Sequence, residues 1–553
     1  MPSSSTSGLD QHWDIVIVGT GAAALTSALS AATSIQDYSP SILLIDKAPE
    51  EWVGGNGYFT AAAYRTQHNG LEDILPIVSN VPDDLKNKID LPAYSAEDFA
   101  VDLERVTRGK SSKELGRYVV GESLETVRWL RSVGGVDWWL SFRRQAYEVN
   151  GRWQFWGGLH LTVEDGGKGL IRSLVKAVRY RGCTIAFDTA ARRVLTDESG
   201  AISGLEVESA GRKHHLAAKS VILCAGGFEA NPELRQKWMG TGWQLAHTRG
   251  TPYNTGDMLL EAIRLNAKTV GDFSPSGCHS VAWDADSPQN GGDREKTNEF
   301  TKSGYPLGLM LNVEGKRFVD EGVDLRNYTY AKFGRAILEQ PDGIAFQVWD
   351  KAGQNWLRRE EYRDEIVRKI RADSLEELAK KLSQDGLTDA KEFVRTLQEY
   401  NEAVQAHREE HPNVQLNPAV RDGKLLTARA ATAMRLTPCP APGLSTQSSR
   451  KQLALAKSNW AIPVTKPPFL AVKVTSGITF TFGGLAINPE NAAVLRNDGS
   501  EIEGLHCAGE MVGGLFYGNY PGGSGLTAGG VFGRRAGRAA ATRAQQATSS
   551  SKL

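Results

Sequence analysis

An α/β fold interrupted by an inserted α+β capping domain is expected for this chain of 553 residues, on three observations. The first is the stretch from Trp13 to Ala24, WDIVIVGTGAAA. Ile15, Val16, Ile17 and Val18 are a short β-branched run suited to a strand buried on both faces of a parallel sheet. Gly19-Thr20-Gly21-Ala22-Ala23-Ala24 follows as G-x-G-x-x-A: Gly19 permits the tight turn, Gly21 lets backbone approach a pyrophosphate, and Ala24 lets helix and strand pack closely. The helix that begins there offers its free N–H groups to phosphate. The second is Ser41–Asp46, an apolar strand ending in an acid about 20 residues beyond the turn, where a Rossmann-type unit grips a ribose hydroxyl. Lys47 adjoins Asp46 and is counted with it among the cofactor contacts. The third is a change of character from about 273 to 435, where charged helical sequence replaces the glycine turns before they return.

Composition narrows the classes of function. Lys+Arg and Asp+Glu both number 64, so the formal net charge is zero and there is no general attraction to nucleic acid or to an anionic membrane surface. With 41% hydrophobic residues and 58 glycines the chain suits a globular α/β protein of two or three domains, and no apolar run approaches the roughly 18 residues of a membrane span. Cys183, Cys224, Cys278, Cys439 and Cys507 lie far apart without a C-x-x-C pair, so no metal site or iron–sulfur cluster is expected. Residues 1–12 are expected as a flexible tail; the Ser-rich Pro2–Gln11 carries no signal-peptide pattern, which points to an intracellular, reduced setting. Residues 541–553 are expected as a second flexible tail that displays Ser551-Lys552-Leu553 to a peroxisomal import receptor if the organism is a eukaryote; otherwise the expected location is cytoplasmic.

Trp52-Val53-Gly54-Gly55-Asn56-Gly57 brings a second glycine cluster soon after Asp46. GTGAAA, the strand-end acid and GGNG together resemble the flavoprotein family of fumarate reductase and succinate dehydrogenase, which includes 3-ketosteroid dehydrogenases and the tricarballylate dehydrogenase-like members that this chain most resembles. The resemblance implies FAD, with the backbone of Gly54, Gly55, Asn56 and Gly57 against it near the flavin. Some members attach FAD to a histidine just before this cluster; no histidine lies between His12 and His68, so non-covalent FAD is expected.

Further along, Pro76, Pro82 and Pro92 make residues 70–92 an irregular insertion. Ser95 with Asp98 three residues on reads as an N-cap for helices that run through Gly116–Val133 until Gly134-Gly135. Trp138, Trp139, Trp153 and Trp156 either line a substrate cavity or pack beneath the nucleotide domain. Gly166-Gly167-Lys168-Gly169 opens a helix over Leu170–Arg181, with a strand near Thr184–Phe187. By the resemblance, Val194 and the turn Ala225-Gly226-Gly227 meet the dinucleotide, and Thr255-Gly256-Asp257 matches a family segment that closes on the cofactor, which places Asp257 there.

The nucleotide domain is expected at 13–272 and 436–540, with 273–435 as the capping domain. Within the cap, Ser374 with Glu377 starts one helix, and Phe393, Leu397, Tyr400 and Val404 mark the buried stripe of another. Gly504–Glu510 resembles the family's GLYAAGE segment, in which the acid, here Glu510, holds the ribityl chain. Tyr520-Pro521-Gly522-Gly523 then precedes a small-residue helix through Gly537, whose start at Ser524, Gly525 and Leu526 would aim its positive end at the flavin pyrimidine edge.

Gly315–Glu321 with the later Arg326 resembles the fumarate reductase segment GKRFVNE…R, whose arginine is the proton carrier, which implies Arg326. A guanidinium with a pKa above about 12 is a poor base alone, so Asp324, Tyr328 or Tyr330 would couple to it. His279 stands where the family carries a substrate-binding histidine. Two positions depart from fumarate reductases: Phe480-Thr481-Phe482-Gly483-Gly484 replaces a histidine before a glycine pair, and Asn519-Tyr520-Pro521-Gly522-Gly523 replaces the arginine of NRLGG. Loss of a bidentate arginine removes the group best suited to clamp a carboxylate, which disfavours fumarate and succinate. The YPG context resembles ketosteroid dehydrogenases, in which a tyrosine bonds the substrate carbonyl, so Tyr520 is the third catalytic candidate. The expected enzyme is an FAD-dependent dehydrogenase or reductase of CH–CH groups. It forms or reduces a carbon–carbon double bond beside a carbonyl or carboxyl of a small organic substrate, by hydride transfer at flavin N5, with oxygen or a separate carrier as electron acceptor. A 3-ketosteroid-type dehydrogenase and a non-catalytic flavin-binding protein are the alternatives.

Overall fold

The structure, a computed structural model, describes residues 11–155, 157–289, 291, 294–323, 326–414 and 444–550. Residues 1–10, Trp156, Asp324, Cys439 and Ser551-Lys552-Leu553 lie outside the described residues, as do the side chains of Arg326, Tyr328 and Tyr330. The chain forms two compact units: Met1–Leu234 with Gly250–Cys278 and Phe480–Leu553, and Arg235–Arg249 with His279–Thr479.

The first unit is assembled from β1 (Trp13–Val18), α1 (Ala22–Thr33), β2 (Ile42–Ile45), α2 (Gly167–Tyr180), β3 (Thr184–Ala186), β4 (Thr189–Thr196), β5 (Ile202–Ser209), β6 (Arg212–Leu223), α3 (Asp257–Arg264), β7 (Ala493–Leu495), β8 (Glu501–Cys507) and α4 (Ser524–Ser550). Its main sheet runs β7-β8-β6-β1-β2-β3. β1 is parallel to β2, with Val16 beside Leu43, and to β6, with Val16 beside Val221. Ile15, Val16 and Ile17 are fully buried, as a β-branched run covered on both faces requires. The first half of β6 leaves this sheet to pair antiparallel with β5, which pairs with β4.

α4 packs on α1 at very short range because both present small residues. A Cβ on Gly537 would lie 2.2 Å from the Ser27 carbonyl oxygen, one on Gly533 would lie 2.9 Å from that of Ala23, and Ser30 Oγ donates to the Arg534 carbonyl at 2.6 Å. This contact continues past the expected start of a tail at 541: Ala540, Ala541 and Ala544 are buried, so α4 stays helical to Ser550. Between 95 and 133 the helical run is divided into Ala96–Val106, Lys113–Gly121 and Ser123–Ser132, the first opened by a full Ser95–Asp98 capping box. Trp138 is fully buried edge-on to Tyr64 at 5.0 Å between ring centroids, which makes it core and not cavity wall.

The second unit is α+β. Phe469–Thr481 is the central strand of its sheet, antiparallel to Ala345–Trp349, which pairs with Leu309–Asn312; His247–Thr248, Cys278–Asp284 and Ile370–Ala372 also pair with Phe469–Thr481. Phe393, Leu397, Tyr400 and Val404 line the buried side of the helix Ala390–Glu410 over Leu309, Leu311, Phe346 and Val348. This unit therefore extends to 479 rather than stopping at 435, since the strand its sheet is built around comes from that later segment.

Candidate cofactor site and active-site groups

The glycine turn after β1 is shaped by steric necessity. Gly19 has φ +110°, and a Cβ there would stand 2.4 Å from the Cys224 carbonyl oxygen at the end of β6. Gly21 takes the N-cap of α1 in an extended conformation with no side-chain cap, so the first amides of the helix have no acceptor of that kind. A Cβ on Gly21 would meet nothing nearer than the Gly54 oxygen at 3.8 Å, and one on Gly55 nothing nearer than the Gly21 Cα at 3.8 Å. Turn and GGNG cluster thus lie against each other through backbone, with a Cβ at either glycine reaching only ordinary van der Waals distance. Gly54, at φ +107°, backs onto Ile171 of α2, and a Cβ on Gly57 would lie 3.2 Å from the same side chain.

Asp46 closes the turn from behind. Its carboxylate accepts from Thr20 N at 3.0 Å, Thr20 Oγ1 at 2.6 Å and Ala48 N at 2.9 Å. Burial pushes its pKa up in spite of these donors. Lys47 Nζ donates to Asp257 Oδ2 and Thr255 Oγ1, each at 2.5 Å, which joins the end of β2 to the start of α3. Val194 on β4 donates its amide to Glu261 Oε1 at 2.7 Å, so this N–H serves the protein's own packing. Ala225 donates its N–H to Met511 Sδ at 3.3 Å, and a Cβ on Gly226 would lie 2.4 Å from the Asn254 side chain. Ala23 lies beside Gly509, where a Cβ would approach it to 2.9 Å.

Glu510 does not stand alone. It accepts from Thr481 N at 2.8 Å and Thr481 Oγ1 at 3.0 Å, and it hydrogen-bonds Glu229, a fully buried acid that the sequence reading passed over. Glu229 Oε1 accepts from Asn56 Nδ2 and Asn254 Nδ2, both at 2.6 Å. A Cβ on Gly227 would come within 2.1 Å of Glu510 Oε1 and 2.7 Å of Glu229 Oε2, so only glycine fits beside the pair. Burial, and then the Glu229 carboxylate, hold Glu510 well above the usual carboxylate range.

Tyr520 belongs to the first unit and packs in a box of four rings with Phe480, Phe482 and Phe516, every pair of centroids between 5.2 and 6.0 Å apart. The loop after it is anchored: Arg65 Nε donates to the Gly522 carbonyl at 2.9 Å, Ser524 Oγ to the Pro521 carbonyl at 2.6 Å and Thr527 Oγ1 to the Arg65 carbonyl at 2.7 Å. Gly525 and Leu526 begin α4, and a Cβ on Gly525 would touch the Phe480 ring at 3.4 Å.

His279 and Arg326 belong to the second unit. His279 lies buried on Cys278–Asp284, and burial, reinforced by the Arg249 charge, pushes it well below the usual imidazole range, so it is neutral at pH 7. Arg249 donates to Thr479 Oγ1 and to Asn298 Oδ1, both at 3.1 Å, and supplies a cation beside His279 that no motif flagged. Arg326 is the first residue of the helix Arg326–Leu338. Among the described residues there is no cluster of three or more His, Cys, Asp or Glu able to hold a metal ion.

Two glycine turns that meet through backbone alone, a helix start with no side-chain cap and the buried acids fit a dinucleotide with a polar chain. Residues 14–526 match the family described as FAD binding domain. The chain is similar to a probable fumarate reductase, Ifc3, of Shewanella frigidimarina, 25% identical over 545 residues that cover 97% of this chain and 76% of that protein. It is also 25% identical over 550 residues to the NADH:fumarate oxidoreductase of Klebsiella pneumoniae, covering 97% of this chain and 48% of that protein, so it spans about half of that relative. Among solved structures, the open conformation of a flavocytochrome c3 fumarate reductase shares the fold, with a TM-score of 0.69 and 22% identity over 97% of this chain and 79% of that one.

Proposed function

The chain belongs to the FAD binding domain family of flavoproteins, whose members in this likeness are oxidoreductases acting on CH–CH groups, and on that premise we propose that it takes a substrate with an apolar body and one activating carbonyl or carboxyl group. The reaction is formation or saturation of the carbon–carbon double bond beside that group. The observation that carries this reading is the four-ring box holding Tyr520, at the two positions where a dicarboxylate enzyme of this type would place a histidine and an arginine. Aromatic rings accept an apolar body and exclude water, and give a second carboxylate no partner.

Gly19, Gly21, Gly54, Gly55 and Asp46 would hold the non-covalent FAD, with the Lys47–Asp257 pair tying the end of β2 to the start of α3. When bound, FAD supplies the two-electron chemistry, exchanging a hydride equivalent with a substrate carbon. Tyr520 donates its O–H to the substrate oxygen and stabilises the charge that builds there. His279, neutral, offers a hydrogen bond to a polar group of the substrate without adding charge. Arg326 carries the proton to or from the neighbouring carbon, coupled to Asp324, Tyr328 or Tyr330. Oxygen or a separate carrier closes the cycle on the oxidising side.

The test is anaerobic titration of the yellow holoprotein with cyclic ketones, a ketosteroid, tricarballylate, succinate and fumarate. A carbonyl substrate with an apolar body is expected to change the flavin spectrum, and succinate and fumarate to leave it unaltered; efficient turnover of fumarate overturns the reading. Tyr520→Phe is expected to lower kcat/KM by about 10²–10³-fold with FAD retained. Arg326→Ala should abolish turnover with FAD still bound. In a eukaryotic cell a fluorescent fusion ending in Ser551-Lys552-Leu553 is proposed to enter peroxisomes, and removal of the three residues to leave it in the cytosol.

A further inference from the structure

Four segments that carry cofactor-binding signals converge on one pair of buried acids in the first unit. Asn56 comes from the GGNG cluster, Gly227 from the turn after β6, Asn254 from the segment before α3, and Glu510 from the turn after β8. Asn56 is held in turn by Thr251, whose N–H donates to Asn56 Oδ1 at 2.9 Å. The side chains that donate most directly to the two carboxyls, Asn56, Asn254 and Thr481, are neutral, and each acid acts on the other.

We infer that Glu229 and Glu510 share a single proton, and that this proton is the latch that holds the four segments in the arrangement that binds FAD. Two ionised carboxylates in hydrogen-bond contact and out of water repel strongly, and neutral amide donors do not cancel that repulsion. One O–H between them removes it and adds a charge-assisted hydrogen bond. Burial pushes Glu229 up as well, against the pull of the hydrogen bonds from Glu510, Asn254 and Asn56, so the pair retains its proton above the ordinary carboxylate range. Loss of that proton would drive Glu229 from Glu510 and take Asn56 and Asn254 with it, opening the GGNG cluster away from the turn at Gly227.

The sign of the pH dependence follows. The latched form binds one more proton than an opened, solvated form between the ordinary value of a glutamate and the raised value of the pair. Across that window latching weakens by about tenfold per pH unit as pH rises, and FAD affinity falls with it once the opened form predominates. The inference rests on FAD as the cofactor but not on the identity of the substrate.

The experiment measures the FAD dissociation constant of the full-length apoprotein by flavin fluorescence between about pH 5 and pH 9. Wild-type affinity is expected to fall as pH rises through the upper ionisation, while Glu229→Gln and Glu510→Gln, which keep the shape but cannot ionise at that position, bind FAD with a flat profile. A flat wild-type profile, or one that both glutamine variants reproduce, overturns the inference. Infrared difference spectra of the apoprotein give a readout that needs no FAD: the carbonyl band of a protonated carboxylic acid should be present at neutral pH and absent from each variant. Its absence from the wild type also overturns the inference. A protein that takes up no FAD at any pH instead contradicts the cofactor assignment, and the infrared band still decides the shared proton.

Discussion

At Gly19 the backbone turns through φ +110° directly beneath the Cys224 carbonyl, so the position combines a left-handed conformation with a 2.4 Å clash for any side chain. Gly19→Ala is expected to cost about 1–3 kcal/mol and to abolish FAD retention, read by urea unfolding and by the flavin absorbance of the purified protein. Lys47 is a contrasting case. Its ion pair with Asp257 is 27% exposed on the lysine side and 39% on the aspartate side, so solvent screens it. Lys47→Ala should cost less than about 1 kcal/mol in stability, and a larger loss would show the pair to be more enclosed than it is here.

Among the elements, α4 contributes most to the cofactor side because its start carries Ser524 to Leu526 and its middle lies on α1. Gly537 is the tightest point of that crossing, 2.2 Å between its notional Cβ and the Ser27 oxygen. Gly537→Val should separate the two helices, destabilise the first unit by about 1–3 kcal/mol and weaken FAD binding through α1, whose amides face the phosphate turn; unchanged affinity would count against that coupling. In the second unit, Ser374 Oγ accepts from Glu377 N at 3.1 Å and caps Leu375–Ser383. Ser374→Ala should cost about 1 kcal/mol without altering FAD affinity, as measured by thermal unfolding and fluorescence.

For the molecule as a whole, the buried histidines set the acid limit. Burial pushes His68, His160 and His279 below the usual imidazole range, and takes His247 and His506 down to about 4. Each is neutral when folded and takes up a proton on unfolding once pH falls below about 6.5, so stability is expected to decline as pH drops from about 6.5 toward 4. The shared proton of Glu229 and Glu510 acts in the opposite direction, its contribution fading as pH rises, so the two oppose each other where their windows overlap and maximal stability lies where their slopes cancel. FAD at a hundred times its dissociation constant should add about 2.7 kcal/mol to the unit that holds it, visible as slower hydrogen exchange in β1, β2, β6 and β8.

Much of the frame was legible without coordinates. The β1–turn–α1 unit, Asp46 at the end of β2, the caps at Ser95 and Ser374 and the stripe from Phe393 to Val404 all depend on contacts within a few residues, which periodicity and capping chemistry encode directly. The helical end of α4 was missed because Ala540, Ala541 and Ala544 look like tail composition until the groove that buries them is known. The second unit's boundary was missed because Phe469–Thr481 reads as one more apolar strand, and its central place in that sheet is a fact of long-range pairing. Glu229 was missed for the same reason: an acid two residues past a glycine turn has no meaning alone. Residue order dictated which turns could lie against a dinucleotide. Packing in three dimensions dictated which distant side chains meet there, because burial and like-charge contact, the forces that make two glutamates share a proton, exist only after the chain has folded.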